Sequence, residues 1–235
     1  MKIGDLIKPM IQKILPEYFR YNFCPTFITY SPRGEMLNKT MEYVRFSKME
    51  GDYLEFGVYV GKSFVSAYHL AQHQGLKDMR FYAFDSFEGL PKLKGEDSED
   101  VFSKGDYSCG VDRFKEILSS KEVDLNKVTT IAGWYDNTLN DEAKKHLKIK
   151  KAAVIWVDCD LYESTVPVLD FITDYVQDGT VLIFDDWYCF RGNPNKGEQK
   201  AFREWLEKNP SITANEYQKF HWSGNSFILN REAKE

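Results

Sequence analysis

From Gly51 onward, short apolar runs of strand length alternate strictly with amphipathic runs of helix length, and this constrains the fold more than any other feature. The spacing predicts strands over Asp52–Tyr59, Arg80–Phe84, Val128–Ala132, Ala152–Val157 and Thr180–Phe184. Between and after them it predicts helices over Gly61–Gln74, Val111–Ser120, Asn137–Leu147, Ser164–Val176 and Lys196–Lys208. The strand at Ala152–Val157 is apolar at every position, which suits a strand covered on both faces. Alternation of this kind implies an α/β fold, a parallel sheet with helices on both faces. Two more strand runs, Asn215–Phe220 and Ser226–Asn230, flank the tight Trp222–Asn225 stretch and predict an antiparallel hairpin at the sheet edge.

Upstream the pattern differs. Met1–Leu15 has helical apolar spacing interrupted by Pro9, and reads as an amphipathic helix for packing or subunit contact. Glu17–Gly34 is aromatic, contains Pro25 and Pro32, and reads as an irregular arm. A helix is predicted over Glu35–Met49. The expected organisation is therefore an N-terminal extension over residues 1–50 and one domain over 51–235. The extension favours a homo-oligomer.

Charge and cysteine content exclude several classes. The net charge of −5, with no long basic block, argues against nucleic acid as the main partner, since phosphate backbones need clustered cations. Cys24, Cys109, Cys159 and Cys189 form no paired motif and read as free thiols of a reducing compartment. No apolar run reaches membrane-spanning length, and a cytoplasmic location is expected. His69 and His73 share a predicted helix face but lack a third metal ligand, and are assigned to surface or packing.

In open parallel sheets, ligands bind at the carboxyl ends of the strands. The first strand runs into Glu55-Phe56-Gly57-Val58-Tyr59-Val60-Gly61-Lys62-Ser63. Glycine there lets backbone approach a ligand, and the next helix offers free N–H donors. The second strand ends at Asp85, 24 residues after Gly61, placed to accept from a ribose diol. Together these suggest an adenosine-containing cofactor, without separating a nicotinamide dinucleotide from S-adenosylmethionine. A full GxGxxG is missing, and only three residues separate Gly57 from Gly61.

The fourth strand ends in Asp158-Cys159-Asp160 and the fifth in Asp185-Asp186. Parallel neighbours would bring Asp158, Asp185 and Asp186 together. Such carboxylates repel unless compensated, and a hard divalent cation such as Mg²⁺ compensates them. Taken singly, Asp160 also fits a cap of the following helix, with Glu163 completing a capping box; the set as a whole has no such simple reading.

These motifs, with Asp85-Ser86-Phe87-Glu88-Gly89-Leu90-Pro91, Gly133-Trp134-Tyr135, Thr138-Leu139, the run from Asp158 to Thr165, and Gly197 before Gln199-Lys200-Ala201, resemble the macrocin-type sugar O-methyltransferases over roughly residues 30–208. The resemblance implies a Rossmann-like methyltransferase fold, with a mostly parallel seven-stranded sheet and an antiparallel C-terminal hairpin. It implies S-adenosylmethionine as cofactor, with Glu55, Gly57, Gly61 and Ser63 along its methionine end. Asp85 would take the ribose, Ser86 would sit near the adenosine, and Trp134 near the adenine. Asp158, Asp185 and Asp186 would bind Mg²⁺, with Asp158 also at the cofactor and acting as general base.

The implied activity is Mg²⁺-assisted O-methylation of a sugar or glycosylated small molecule. The alternatives are methylation of another small-molecule O or N acceptor, or a non-catalytic cofactor-binding protein. An NAD-dependent oxidoreductase fits less well, because no Tyr-x-x-x-Lys pair accompanies the incomplete glycine fingerprint. Catechol O-methyltransferases carry a Lys three residues after the first metal acid, and Leu161 stands there in this chain. Trp187–Asn195 matches no family pattern and reads as a substrate lid or a plain loop.

Overall fold

The computed structural model describes residues 31–90, 105 and 107–232. The predicted Met1–Leu15 helix, most of the aromatic arm and most of the Asp85–Cys109 loop lie outside these residues.

The first described helix, α1 (Pro32–Phe46), starts where local chemistry dictates. Ser31 Oγ accepts from Gly34 N at 3.0 Å, and Pro32 takes a first-turn position that needs no N–H partner. The order continues β1 (Asp52–Phe56), α2 (Lys62–His73), β2 (Phe81–Asp85), α3 (Val111–Ser120), β3 (Val128–Ala132), α4 (Tyr135–Thr138), α5 (Asp141–His146) and β4 (Ala152–Val157). It ends with α6 (Tyr162–Ile172), β5 (Thr180–Phe184), α7 (Gly197–Lys208), β6 (Ile212–Phe220) and β7 (Gly224–Arg231).

The seven strands form one sheet in the order β3-β2-β1-β4-β5-β7-β6. β1 pairs in parallel with β2 and β4, and β2–β3 and β4–β5 are also parallel. β7 runs antiparallel to both β5 and β6, as the hairpin pattern predicts. The order reverses between β1 and β4, so a crevice opens at the carboxyl ends of these two strands.

Strands β1, β4 and β5 are buried at every residue, because helices cover both faces. Alternate side chains feed two cores. Tyr53, Val154, Trp156, Val181 and Ile183 pack with α1, α2 and α3. Leu54, Phe56, Ile155, Val157, Leu182 and Phe184 pack with α6 and α7. Each fully buried Leu or Phe contributes about 1.5–3 kcal/mol relative to exposure. Met36, Leu37, Met41 and Val44 of α1 belong to the first core, so that core runs across residue 50.

The structure differs from the sequence pattern at three places. The helix predicted over Asn137–Leu147 is two pieces, because the Asn140 side chain caps α5 by accepting from Ala143 N at 2.9 Å. β1 stops at Phe56, where Gly57 turns the chain with φ +86°. α6 begins at Tyr162, before the predicted Ser164, and its N-cap is Leu161, which makes no side-chain cap bond. Asp160 is therefore not the cap, and the capping-box reading is corrected. His69 Nε2 lies 2.7 Å from Lys121 O, a packing role. Among the described residues, no helix is long and apolar enough to cross a membrane.

Candidate active site

Strand register brings the acidic residues to one edge. Phe56 pairs with both Phe84 and Val157, and Val157 pairs with Phe184. The ladder extends one residue further: Gly57 N donates to Phe84 O at 2.8 Å, Asp158 N to Phe56 O at 2.8 Å, and Asp185 N to Val157 O at 3.0 Å. Asp85, Asp158 and Asp185 thus leave the ends of β2, β4 and β5 at nearly the same height, with the end of β1 between the first two.

On the β1 side, Glu55 is fully buried. Its Oε1 accepts from Ser63 Oγ at 2.6 Å and its Oε2 from Tyr53 Oη at 2.5 Å. Burial pushes its pKa up to about 8, although the two hydroxyl bonds favour the ionised form. The helix-start serine and the strand acid expected on one ligand-facing turn are therefore directly bonded.

The two loop glycines answer to the protein's own packing. A Cβ on Gly57 would stand 1.8 Å from the Asp158 carbonyl oxygen, so the close approach of the β1 and β4 ends demands glycine. A Cβ on Gly61 would stand 2.8 Å from the Phe114 ring. Tyr59 lies between them, exposed, in the left-handed region at φ +44°.

Asp85 stitches this loop to β2. Its Oδ2 accepts from Val58 N at 2.8 Å and Tyr59 N at 3.1 Å, and its Oδ1 from Phe87 N at 2.7 Å. A carboxylate offers about four acceptor positions, so one on Oδ1 is left for a ligand hydroxyl. Ser86 Oγ is spent on its own turn, accepting from Glu88 N at 3.1 Å and donating to Gly89 O at 3.0 Å. Trp134 is partly buried at the start of α4, beside the same strand end, because Gly133 N donates to Asp85 O at 2.9 Å.

Across the crevice the acids crowd. Carboxylate oxygens of Asp158, Asp160 and Asp186 lie within 4.8 Å of one another. This differs from the expected trio of Asp158, Asp185 and Asp186. Asp160 reaches the group from a left-handed backbone at φ +60°. Asp185 is held by Arg33 of α1: Nε donates to Oδ1 at 2.7 Å, and Nη2 bonds Oδ2. Asp185 also raises the Arg33 pKa further, chiefly through these hydrogen bonds.

Burial, then the neighbouring acids, raise the Asp158 and Glu198 pKa values. The same causes push Asp186 up to about 6. Glu198, on the first turn of α7, accepts from Asp186 N at 3.1 Å through Oε2. Its Oε1 and Asp186 Oδ2 are buried without a hydrogen-bond partner. Unpartnered buried carboxylate oxygens inside a like-charged group are costly. A hard divalent cation with oxygen ligands fits this donor set.

The sequence reading missed three members of the site. Asp160 carried a signal, lying two residues after Asp158, but its spacing to Glu163 also fits a capping box. Glu198 sits inside a recognised helix start, beside Gly197. Arg33 carries no local signal, because its partner is 152 residues away.

Comparison with known proteins decides the family. The family model described as Macrocin-O-methyltransferase (TylF) matches residues 25–214. The chain belongs to the macrocin O-methyltransferase family. Among the relatives in this family's activity class, demethyldecarbamoylnovobiocin O-methyltransferase of Streptomyces niveus is 27% identical over 166 residues, covering 66% of this chain and 60% of the relative. Mycinamicin III 3''-O-methyltransferase of Micromonospora griseorubida is 26% identical over 148 residues, covering 59% of this chain and 56% of the relative. The matches thus span about 60% of the first relative's length.

The O-methyltransferase NovP superposes with a TM-score of 0.70 at 21% identity, covering 85% of this chain and 80% of that one. The calicheamicin methyltransferase CalS11 does so at 0.68 and 21%, covering 96% and 90%. At these identities the likeness is one of fold. The macrocin O-methyltransferase family member described here has the Rossmann-like methyltransferase fold.

Proposed function

We propose that this chain is an S-adenosylmethionine-dependent O-methyltransferase acting on a hydroxyl of a sugar or glycosylated small molecule, assisted by a divalent cation such as Mg²⁺. The observation that carries the reading is the juxtaposition, across the β1/β4 crevice, of a cofactor-type loop around Glu55 and Asp85 with the close group of Asp158, Asp160 and Asp186. Family membership and the printed activities of the relatives support it.

S-adenosylmethionine supplies a methyl group on a sulfonium, and its transfer to oxygen is an in-line displacement. Alignment therefore contributes much of the acceleration. Glu55 and Ser63 are assigned to the methionine end, with the glycine loop at Gly57 and Gly61 beside them. A cationic ligand favours the ionised form of Glu55, which burial otherwise disfavours. Asp85 has one acceptor position for a ribose hydroxyl. Trp134 is assigned to the adenine end and the Ser86 turn to the adenosine.

Asp158 and Asp186 are assigned to the cation. Asp160 supplies the third nearby oxygen in the described conformation, while Asp185, expected from the sequence, is engaged by Arg33. When bound, the cation lowers the pKa of a sugar hydroxyl, an otherwise poor nucleophile. Asp158 is assigned as the general base that takes the hydroxyl proton.

The test is calorimetric titration with S-adenosylhomocysteine, with and without Mg²⁺, and NAD⁺ as control. Micromolar binding of the former alone is expected, followed by Mg²⁺-dependent methylation of glycosides. Binding of NAD⁺ instead, or of neither, overturns the cofactor assignment.

A further inference from the structure

The turn between β6 and β7 closes against the acid site. Ser223 is buried, and its Oγ donates to the Asp185 carbonyl oxygen at 2.7 Å. Tyr188 N, two residues beyond Asp186, donates to Ser223 O at 2.9 Å. His221 takes a left-handed φ of +53°, and its Nδ1 lies 3.3 Å from Ser223 Oγ. The residues on both sides of Trp222 are thus pinned, one of them to backbone of the acid cluster. Trp222 itself stands 66% exposed.

An indole left in solvent forgoes the largest hydrophobic gain a side chain offers. Chain mobility does not explain its exposure, since its neighbours are held by hydrogen bonds. A turn hydrogen-bonded to the backbone of Asp185 that exposes an aromatic ring suits ligand recognition: aromatic walls bind, and a few placed polar groups orient.

We propose that Trp222 is the stacking platform for the sugar ring of the methyl acceptor. The inference rests on the sugar O-methyltransferase reading above and deepens it. A pyranose carries hydroxyls around its edge and weakly electropositive C–H bonds on its faces. The negative face of an indole attracts such a C–H face, while the ring-edge hydroxyls remain free to hydrogen-bond. Tryptophan is ordered at low entropic cost, having two side-chain torsions, and here the turn has already ordered its backbone. Trp222 is thereby a specificity-determining residue, selecting acceptors with an unsubstituted pyranose face.

The experiment measures methyl transfer from S-adenosylmethionine to TDP-L-rhamnose, p-nitrophenyl α-L-rhamnopyranoside and p-nitrophenyl β-D-glucopyranoside. It compares the wild type with Trp222→Ala and Trp222→Phe, and titrates each protein with S-adenosylhomocysteine. Trp222→Ala is expected to raise the acceptor KM about tenfold, with kcat and S-adenosylhomocysteine affinity unchanged, and Trp222→Phe to recover part of the loss. Unchanged KM in both variants overturns the platform and leaves the sugar reading standing. Parallel loss of S-adenosylhomocysteine affinity in both variants also overturns it, since Trp222 is then structural. Wild-type protein that binds S-adenosylhomocysteine but methylates none of the three overturns the sugar reading and the platform with it.

Discussion

Arg33 at the start of α1 grips Asp185 at the end of β5 with two edges of its guanidinium: Nε donates to Oδ1 at 2.7 Å, and Nη2 bonds Oδ2. The pair joins the N-terminal helix to the site across 152 residues. The Asp185 side chain is 2% exposed and that of Arg33 is 42% exposed.

Removing Arg33 strands a buried carboxylate among other carboxylates. Arg33→Met is expected to lose about 2 kcal/mol of unfolding free energy, less than for a fully buried pair because solvent reaches the guanidinium. Arg33→Lys keeps the charge but not the two-pronged geometry, and recovers part. Millimolar Mg²⁺ is expected to narrow the gap between Arg33→Met and wild type, by supplying the missing positive charge. Urea unfolding with and without Mg²⁺ measures this, and equal stability of all three proteins contradicts it.

Glu55 predicts a pH dependence. Its carboxyl titrates near 4.5 in the unfolded chain and near 8 in the fold. The folded state therefore binds more protons across that window, so this contribution to stability is present in full below pH 4.5 and is lost as pH rises through about 8. Glu55→Gln removes the slope. Urea midpoints of wild type and Glu55→Gln, whose amide stands in for the protonated carboxyl, are expected to lie close below pH 4.5 and to separate as pH rises through about 8, with the wild type becoming the less stable. Parallel curves would exclude the buried protonated carboxyl.

Cation binding competes with protons. Asp186 is raised to about 6, so Mg²⁺ affinity is expected to fall as pH drops below 6. Asp158→Asn and Asp186→Asn are each expected to weaken Mg²⁺ binding more than tenfold and to abolish Mg²⁺-dependent methylation. Titration calorimetry with Mg²⁺ reads the first effect and product formation the second. Unchanged turnover in Asp158→Asn would sink its assignment as base and ligand.

The two loop glycines differ in what a methyl group would strike. Gly57→Ala places Cβ 1.8 Å from a backbone oxygen that cannot move without parting β1 from β4. A loss of at least about 3 kcal/mol, or failure to fold, is expected. Gly61→Ala meets the edge of the Phe114 ring at 2.8 Å, at φ +73°. That ring can shift, and about 1–2 kcal/mol is expected. Thermal unfolding of the two variants ranks them, and a Gly61→Ala protein less stable than Gly57→Ala would contradict the geometry.

The apolar runs at Ala152–Val157 and Thr180–Phe184, the hairpin around Trp222–Asn225 and the acids that end β2, β4 and β5 were all readable in the chain. Each is a local signal: a strand buried on both faces must be apolar throughout, and a strand end is marked where that run stops. Tertiary structure decided which partners those ends acquired. Asp160 fits the spacing of a helix cap, and only the left-handed turn after β4 directs it into the acid group. Asp185 fits a metal ligand by its place after β5, and only the packing of α1 on the first core delivers Arg33 to it. Periodicity records whether a residue is buried, because burial depends on its own polarity. It does not record which distant charge meets it there, because that depends on how whole elements pack.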